Sequence, residues 1–264
     1  MKIIKPALLK NGDTIGILAP SGGIDDDTNL KRGISFFEKR GFNVKLSDNI
    51  YSQNRYLAGT DKERLDALHK MFLDKSVNAI ICLRGGYGAI RLINQIDYNI
   101  IRENPKIFCG YSDITALNSM FIKRAGLSTF SGPMIMSDFG QENLCDYTIE
   151  KFFQTTQTGK FDYEGKFFGG NLATLVSLCG LDFIPDFKFI LFLEDLNEPA
   201  YKIDKMITQL FNIKKLCKQV EAVAIGDFLD IDENINYIFE ELKVPLIKNF
   251  PASHSAKKAT IPIG

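Results

Sequence analysis

The chain of 264 residues contains no tryptophan, two histidines and five cysteines. Two imidazoles, His69 and His254, are too few for a polyhistidine metal site, and no Asp/Glu spacing marks a mixed one. The cysteines (Cys82, Cys109, Cys145, Cys179 and Cys217) are odd in number and form no C-x-x-C pair. Most sit in apolar runs, which reads as buried reduced thiols rather than a disulfide framework. A nucleophile at Cys82 or Cys109 would lack a basic partner in sequence. Charge of either sign is also not in excess: Lys+Arg and Asp+Glu number 32 each, so nothing in bulk charge calls for nucleic acid or an anionic membrane. The opening "MKIIKPALLKNGD" lacks the apolar core of a signal peptide, and no apolar run is long enough to span a bilayer. The expected location is the cytoplasm. What the chain does have is phenylalanine, 21 residues, in a composition of 45% hydrophobic and 24% charged residues that is ordinary for a soluble globular protein. The length allows one large domain or two small ones.

Strand, glycine-containing turn and helix alternate through the first half. "TIGILAP" (14–20) is a β-type run that breaks at "SGG", and a helix is expected over about 28–40. "FNVKLS" reads as a strand and 61–74 as an amphipathic helix with Leu65, Leu68 and Phe72 on one face. "NAIICLRGGYGAIRLI" gives a strand, a glycine turn and a helix start. This alternation predicts a parallel sheet with helices on both faces, whose ligands bind at the carboxyl ends of the strands. The turns "APSGG", "RGGYG" and "GYSD" all lie there. Near residue 140 the rhythm changes, and 143–165 reads as a polar tether between an N-terminal domain (1–142) and a smaller C-terminal α/β domain (166–264). In the latter come "NLATLVSLCG", the strand "KFILFLED", the helix "IDKMITQLF", the strand "VEAVAIGDF" and a last strand and loop, "VPLIKNFPASHS".

Ser112 occupies a sharp corner between the apolar run at 107–109 and a helical pattern over 113–121. It could cap that helix or be a nucleophile, which would need a base and an orienting group. His254 ends an apolar run and is the available base; His69, within an amphipathic helix beside Lys70, reads as structural. Glu194 closes a buried strand, where a carboxylate is costly unless paired, and Asp195 and Glu198 are its rivals. "RGGYG" fits no nucleotide-binding fingerprint; it is either a tight turn or a source of an oxyanion-binding amide.

Taken together, "GDTIGILAPSGG", "RGGYGAIRLI", "GYSDITALNSMF", "SGPM", "GGNLATLVSLCG", "LFLEDLNEPAYKIDKMITQL", "AIGDF" and "FPASHS…IPIG" resemble, in order and over nearly the whole chain, the LD-carboxypeptidase family of serine peptidases. The resemblance implies a triad of Ser112, Glu194 and His254 at the interface between the two domains. It implies an oxyanion hole from the amides of Gly86 and Asp113, no metal or other cofactor, and a homodimer. The implied substrate is a murein tetrapeptide, cut before its terminal D-alanine during peptidoglycan recycling. Arg84 is a candidate for the substrate carboxylate or a brace for the glycine turn. Alternatives are the microcin-immunity branch, which cleaves a peptidyl-nucleotide and whose members tend to be longer, and a two-domain small-molecule binding protein in which Ser112 only caps. Three departures from the family pattern stand out: Ser131 where histidine is usual before "GPM", Ser253 where glycine precedes the histidine, and an ending at "IPIG" where relatives continue into a further strand. A position needing φ > 0 would strain Ser253 and displace His254.

Overall fold

The computed structural model describes residues 2–231 and 234–264. Ten strands form one sheet: β1 (Thr14–Leu18), β2 (Asn43–Leu46), β3 (Ala79–Cys82), β4 (Ile107–Cys109), β5 (Thr129–Ser131), β6 (Phe167–Asn171), β7 (Phe189–Leu196), β8 (Val220–Leu229), β9 (Leu246–Ile247) and β10 (Ile261–Ile263). Their spatial order is β2-β1-β3-β4-β5-β10-β6-β7-β8-β9. Every pairing is parallel except β10 with β5. The fold is α/β, with a mostly parallel sheet flanked by helices.

Alternation along the buried strands creates two cores on opposite faces. Ile80, Cys82 and Phe108 face a core shared with helices α2 (Asp61–Leu73), α3 (Tyr98–Glu103) and α4 (Thr115–Met120). Ile81, Leu83, Ile107 and Cys109 face the other, with α1 (Thr28–Glu38) and α5 (Asp146–Thr158). The abundant phenylalanines fill it: Phe37 meets Phe139 edge-on at 4.8 Å between centroids, and Phe139 meets Phe152 at 5.0 Å, the geometry aromatic quadrupoles favour. Thus α5, inside the polar segment 143–165, buries Phe152 against the first half of the chain. The second half adds α6 (Leu172–Ser177), α7 (Ala200–Phe211), α8 (Lys214–Gln219) and α9 (Asn236–Glu240).

Some local expectations are corrected. After "RGGYG" the chain makes only a 3-10 turn, Ala89–Arg91, because Gly88 sits at φ 123 and the Ala89 amide is drawn to a carboxylate, that of Asp113. Of the thiols, Cys82 and Cys109 are buried and Cys217 is exposed; all five are free. Burial pushes the two buried thiols above their ordinary range, so neither supplies a thiolate. Among the described residues no helix is long and apolar enough to cross a membrane.

Candidate active site

The strand order β2-β1-β3-β4-β5 reverses at β1/β3, the place where open parallel sheets bind ligands. Three turns converge there. Gly22 N–H donates to the Gly85 carbonyl at 3.3 Å, and a side chain at Gly85 would put its Cβ 2.9 Å from Ser112 Cβ and 3.1 Å from Oγ. "SGG", "RGG" and "GYS" are therefore in mutual contact, and glycine at 85 leaves the serine hydroxyl room.

Ser112 itself has φ 61, the left-handed region a non-glycine residue enters only at a cost. It opens a 3-10 turn, Ser112–Ile114, that runs into α4. Its hydroxyl caps nothing: the preceding Tyr111 holds the cap position, with no side-chain cap bond. The capping role is thereby corrected, and the strained corner instead presents the hydroxyl to a cleft, as nucleophile-bearing elbows do.

Asp113 fixes this corner. Its buried carboxylate accepts from Ser21 Oγ at 2.5 Å and from Ala89 N–H at 2.9 Å, tying all three turns together. Burial raises its pKa despite these two bonds. The folded state therefore binds the proton more tightly than the unfolded chain, and stability falls as pH rises above the usual aspartate range. Asp113→Asn should remove that slope. In urea titrations from about pH 4 towards neutrality, the wild type should lose stability relative to the variant; parallel behaviour of the two would refute the assignment.

Glu194 lies near the end of β7, buried, and accepts from or shares a proton with His254 Nδ1 at 2.5 Å. Burial raises its pKa, and the imidazole opposes that shift. Its rivals are otherwise engaged. Asp195 accepts from Asn171 Nδ2 and from the Ala173 amide, both at 2.8 Å, at the start of α6. Glu198 lies 3.5 Å from Lys202, one helical turn on. Sequence alone left the three open; partners separate them.

His254 sits in a loop closed by Ala259 N–H donating to the Pro251 carbonyl at 2.8 Å. Asp227 N–H reaches the Ala252 carbonyl, and a Cβ at Gly226 would lie 2.4 Å from that oxygen, which explains the glycine of "AIGDF". Helix α5 holds the other side, Thr148 Oγ1 bonding both the Ala256 carbonyl and the Lys258 amide. Ser253 is not at positive φ; its hydroxyl instead accepts from Ser255 N–H at 2.8 Å. The feared strain at this departure is absent. Ser131, the other departure, is buried on β5 opposite Ile261.

Ser112 and His254 line one open cleft of about 370 Å³ with Arg84, Gly85, Gly86, Tyr111, Met134, Met136 and Ser137. Among the described residues no hydrogen bond joins Ser112 Oγ to His254, and the buried His254 Nε2 has no hydrogen-bond partner. Such bonds are often long before substrate binds. Among the described residues neither the Gly86 nor the Asp113 amide is bonded to an acceptor. Arg84 is exposed and donates to the Gly23 carbonyl at 3.3 Å, so it braces the turn and also lines the cleft. A carboxylate-oriented imidazole beside a hydroxyl and two free amides can deprotonate the hydroxyl and bind an oxyanion. Sequence reasoning missed Tyr111, Asp138 and Lys258, which converge from distant positions with no motif to mark them.

Models of the LD-carboxypeptidase N-terminal and C-terminal domains match residues 15–132 and 164–264. The chain belongs to the LD-carboxypeptidase family. A probable murein peptide carboxypeptidase of Bacillus subtilis (strain 168) is 35% identical over 287 residues, covering 98% of this chain and 89% of that one. Among solved LD-carboxypeptidase relatives, the muramoyltetrapeptide carboxypeptidase from Oxalobacter formigenes superposes with a TM-score of 0.85 at 29% identity, over 95% of this chain and 92% of that one. An MccF-like protein from Bacillus anthracis gives 0.90, also at 29% identity, over 98% and 94%. The family thus spans murein carboxypeptidases and MccF-type peptidases, and this chain is a carboxypeptidase of that family.

Proposed function

We propose that the protein is a serine LD-carboxypeptidase that hydrolyses the amide between an L-configured centre, diaminopimelate or lysine, and the terminal D-alanine of murein tetrapeptides. The observation that carries this reading is the His254 imidazole, bonded through Nδ1 to buried Glu194 with Nε2 unpartnered, lining the same cleft as Ser112 at its strained corner. His254 takes the Ser112 proton as Oγ attacks the carbonyl carbon. The Gly86 and Asp113 amides receive the oxyanion, and Glu194 steadies the imidazolium. The C–N bond breaks as His254 protonates the leaving D-alanine nitrogen; water, deprotonated by His254, then releases the acyl group and restores the serine. Arg84 supplies the cation for the substrate carboxylate. A homodimer serving peptidoglycan recycling, on the strength of the family resemblance, and a cytoplasmic location with a division into 1–142 and 166–264 about a 143–165 linker, on the reading of the sequence, complete the proposal.

The test is incubation with L-Ala-γ-D-Glu-diaminopimelate-D-Ala, following free D-alanine by mass spectrometry. Release supports the assignment. Cleavage of a peptidyl-nucleotide but not of the tetrapeptide would favour the MccF-type alternative, which the Bacillus anthracis neighbour keeps in play. Turnover of neither would leave a binding protein. Gly85→Ala is a sharper probe of geometry, because its methyl would crowd Ser112 Cβ and Oγ. A displacement of about 1 Å at a reacting group costs roughly a hundredfold, so turnover should fall by about that factor or more; an unaffected rate would show that the hydroxyl does not react from this position.

A further inference from the structure

The cleft wall contains a buried ion pair that the mechanism above does not use. Lys258 Nζ pairs with Asp138 Oδ1, both side chains being almost wholly excluded from solvent. The other Asp138 oxygen accepts from the Met134 amide at 2.9 Å and the Ser137 hydroxyl at 2.8 Å, and Met134 and Ser137 line the cleft. Lys258 Nζ also lies 3.3 Å from the Tyr111 hydroxyl and 4.3 Å from the centre of its ring. That ring packs against the His254 imidazole, centroids 5.0 Å apart at 71°, and Tyr111 directly precedes Ser112.

Desolvating two charges costs about as much as their attraction returns, so well-packed apolar residues stabilise a fold as well as a buried pair does. Stability therefore does not explain this one. Its position does: it joins the 134–138 wall, from the first half of the chain, to the histidine loop, from the second, across the tyrosine that touches the imidazole.

We propose that Lys258 and Asp138 are a positioning pair for the hydrolysis: by holding the Tyr111 ring they fix the plane of the His254 imidazole and keep Nε2 directed at Ser112. This rests on His254 being the general base. Besides Tyr111, the ionisable groups around that dyad are Glu194, bonded to Nδ1, and Asp195, whose like charge opposes ionisation of Glu194 while the Lys258 ammonium favours it.

The deciding variant is Lys258→Met with Asp138→Asn. It removes both charges, keeps an aliphatic chain over Tyr111 and leaves an acceptor for the Met134 amide and Ser137 hydroxyl. Lys258→Met alone strands a buried carboxylate and serves as a companion; Lys123→Met, which breaks an ion pair with Asp182 and Asp186 away from the cleft, is the control. Two readouts are taken: kcat against KM on the tetrapeptide, and the low-field proton resonance of His254 Nδ1–H on its bond to Glu194. The double variant should lose about 10- to 100-fold in kcat with KM within about threefold, as expected of a mis-set reacting group, and its low-field resonance should shift or broaden. Lys123→Met should change neither. A folded double variant with kcat within about twofold and an unmoved resonance would overturn the proposal. If the wild type releases no D-alanine, the catalytic assignment fails, while the resonance alone still decides whether the pair orients His254.

Discussion

Ser112→Ala is expected to lower D-alanine release by at least about 10⁴-fold while the protein keeps its fold, since loss of the nucleophile of a triad removes nearly all of its chemistry. Alanine meets the same left-handed backbone (φ 61) as serine, and the Ser112 hydroxyl holds no structural bond whose loss could unfold the corner. Thermal unfolding should therefore shift little, which separates a lost reaction from a lost protein. Covalent capture gives the same answer from the other side: a fluorophosphonate should label Ser112 in the wild type and nothing in the variant. Retained release would exonerate Ser112 and turn attention to Ser137, whose hydroxyl lines the same cleft.

Glu194→Gln should cost nearly as much, about 10⁴-fold in kcat, by analogy with the amide substitution of a triad carboxylate. If the amide nitrogen of the glutamine faces Nδ1, the ring must carry its proton on Nε2, where it cannot accept one from serine. The stability effect should have the opposite sense. Burial already raises the Glu194 pKa, so the ionised form is held at a cost that a neutral glutamine avoids. At neutral pH the variant should be at least as resistant to heat as the wild type and yet inactive. Turnover and melting measured on the same preparation check both halves, and activity within about tenfold of wild type would reduce Glu194 to a structural partner of the loop.

Much of this architecture was legible because buried parallel strands are written as apolar runs: β1, β3, β4 and β7 stand out for that reason. The glycine turns were legible as turns, but their mutual contact was not, because nothing in "SGG" names "RGG" as the group it must touch. Ser112 shows the limit. A serine before a helix has the same letters whether it caps or reacts, and only the backbone angle and the empty hydroxyl distinguish them. Glu194 could not be separated from Asp195 because the difference lies in what each faces across the sheet. Helix α5 read as a tether because its letters are polar and threonine-rich, yet Thr148, Thr155 and Thr156 are buried together with Phe152, and a threonine looks the same in sequence on either face. The Lys258–Asp138–Tyr111 cluster left no signal, its members being 27 to 147 positions apart in a chain read without contacts. Strand β10, three residues with a central proline, is too short to register, and a proline argues against an interior strand; here β10 pairs with β6 at Ile263 alone and not at Pro262.

That short strand has a consequence for how the protein is made. β10 lies between β5 and β6, so Ile261 pairs with Ser131 across 130 positions of chain. A nascent polypeptide can build the β2-β1-β3-β4-β5 half early, but β5 keeps a bare edge until residues 261–263 leave the ribosome. Contacts of such separation form late, after their loop-closure entropy has been met. The histidine loop, only a few residues upstream, settles between β8 and α5 at the same stage. A serine corner assembled early would therefore wait without its imidazole, and hydrolytic competence would arrive together with the last stitch of the sheet, keeping half-made chains inert towards the peptides around them.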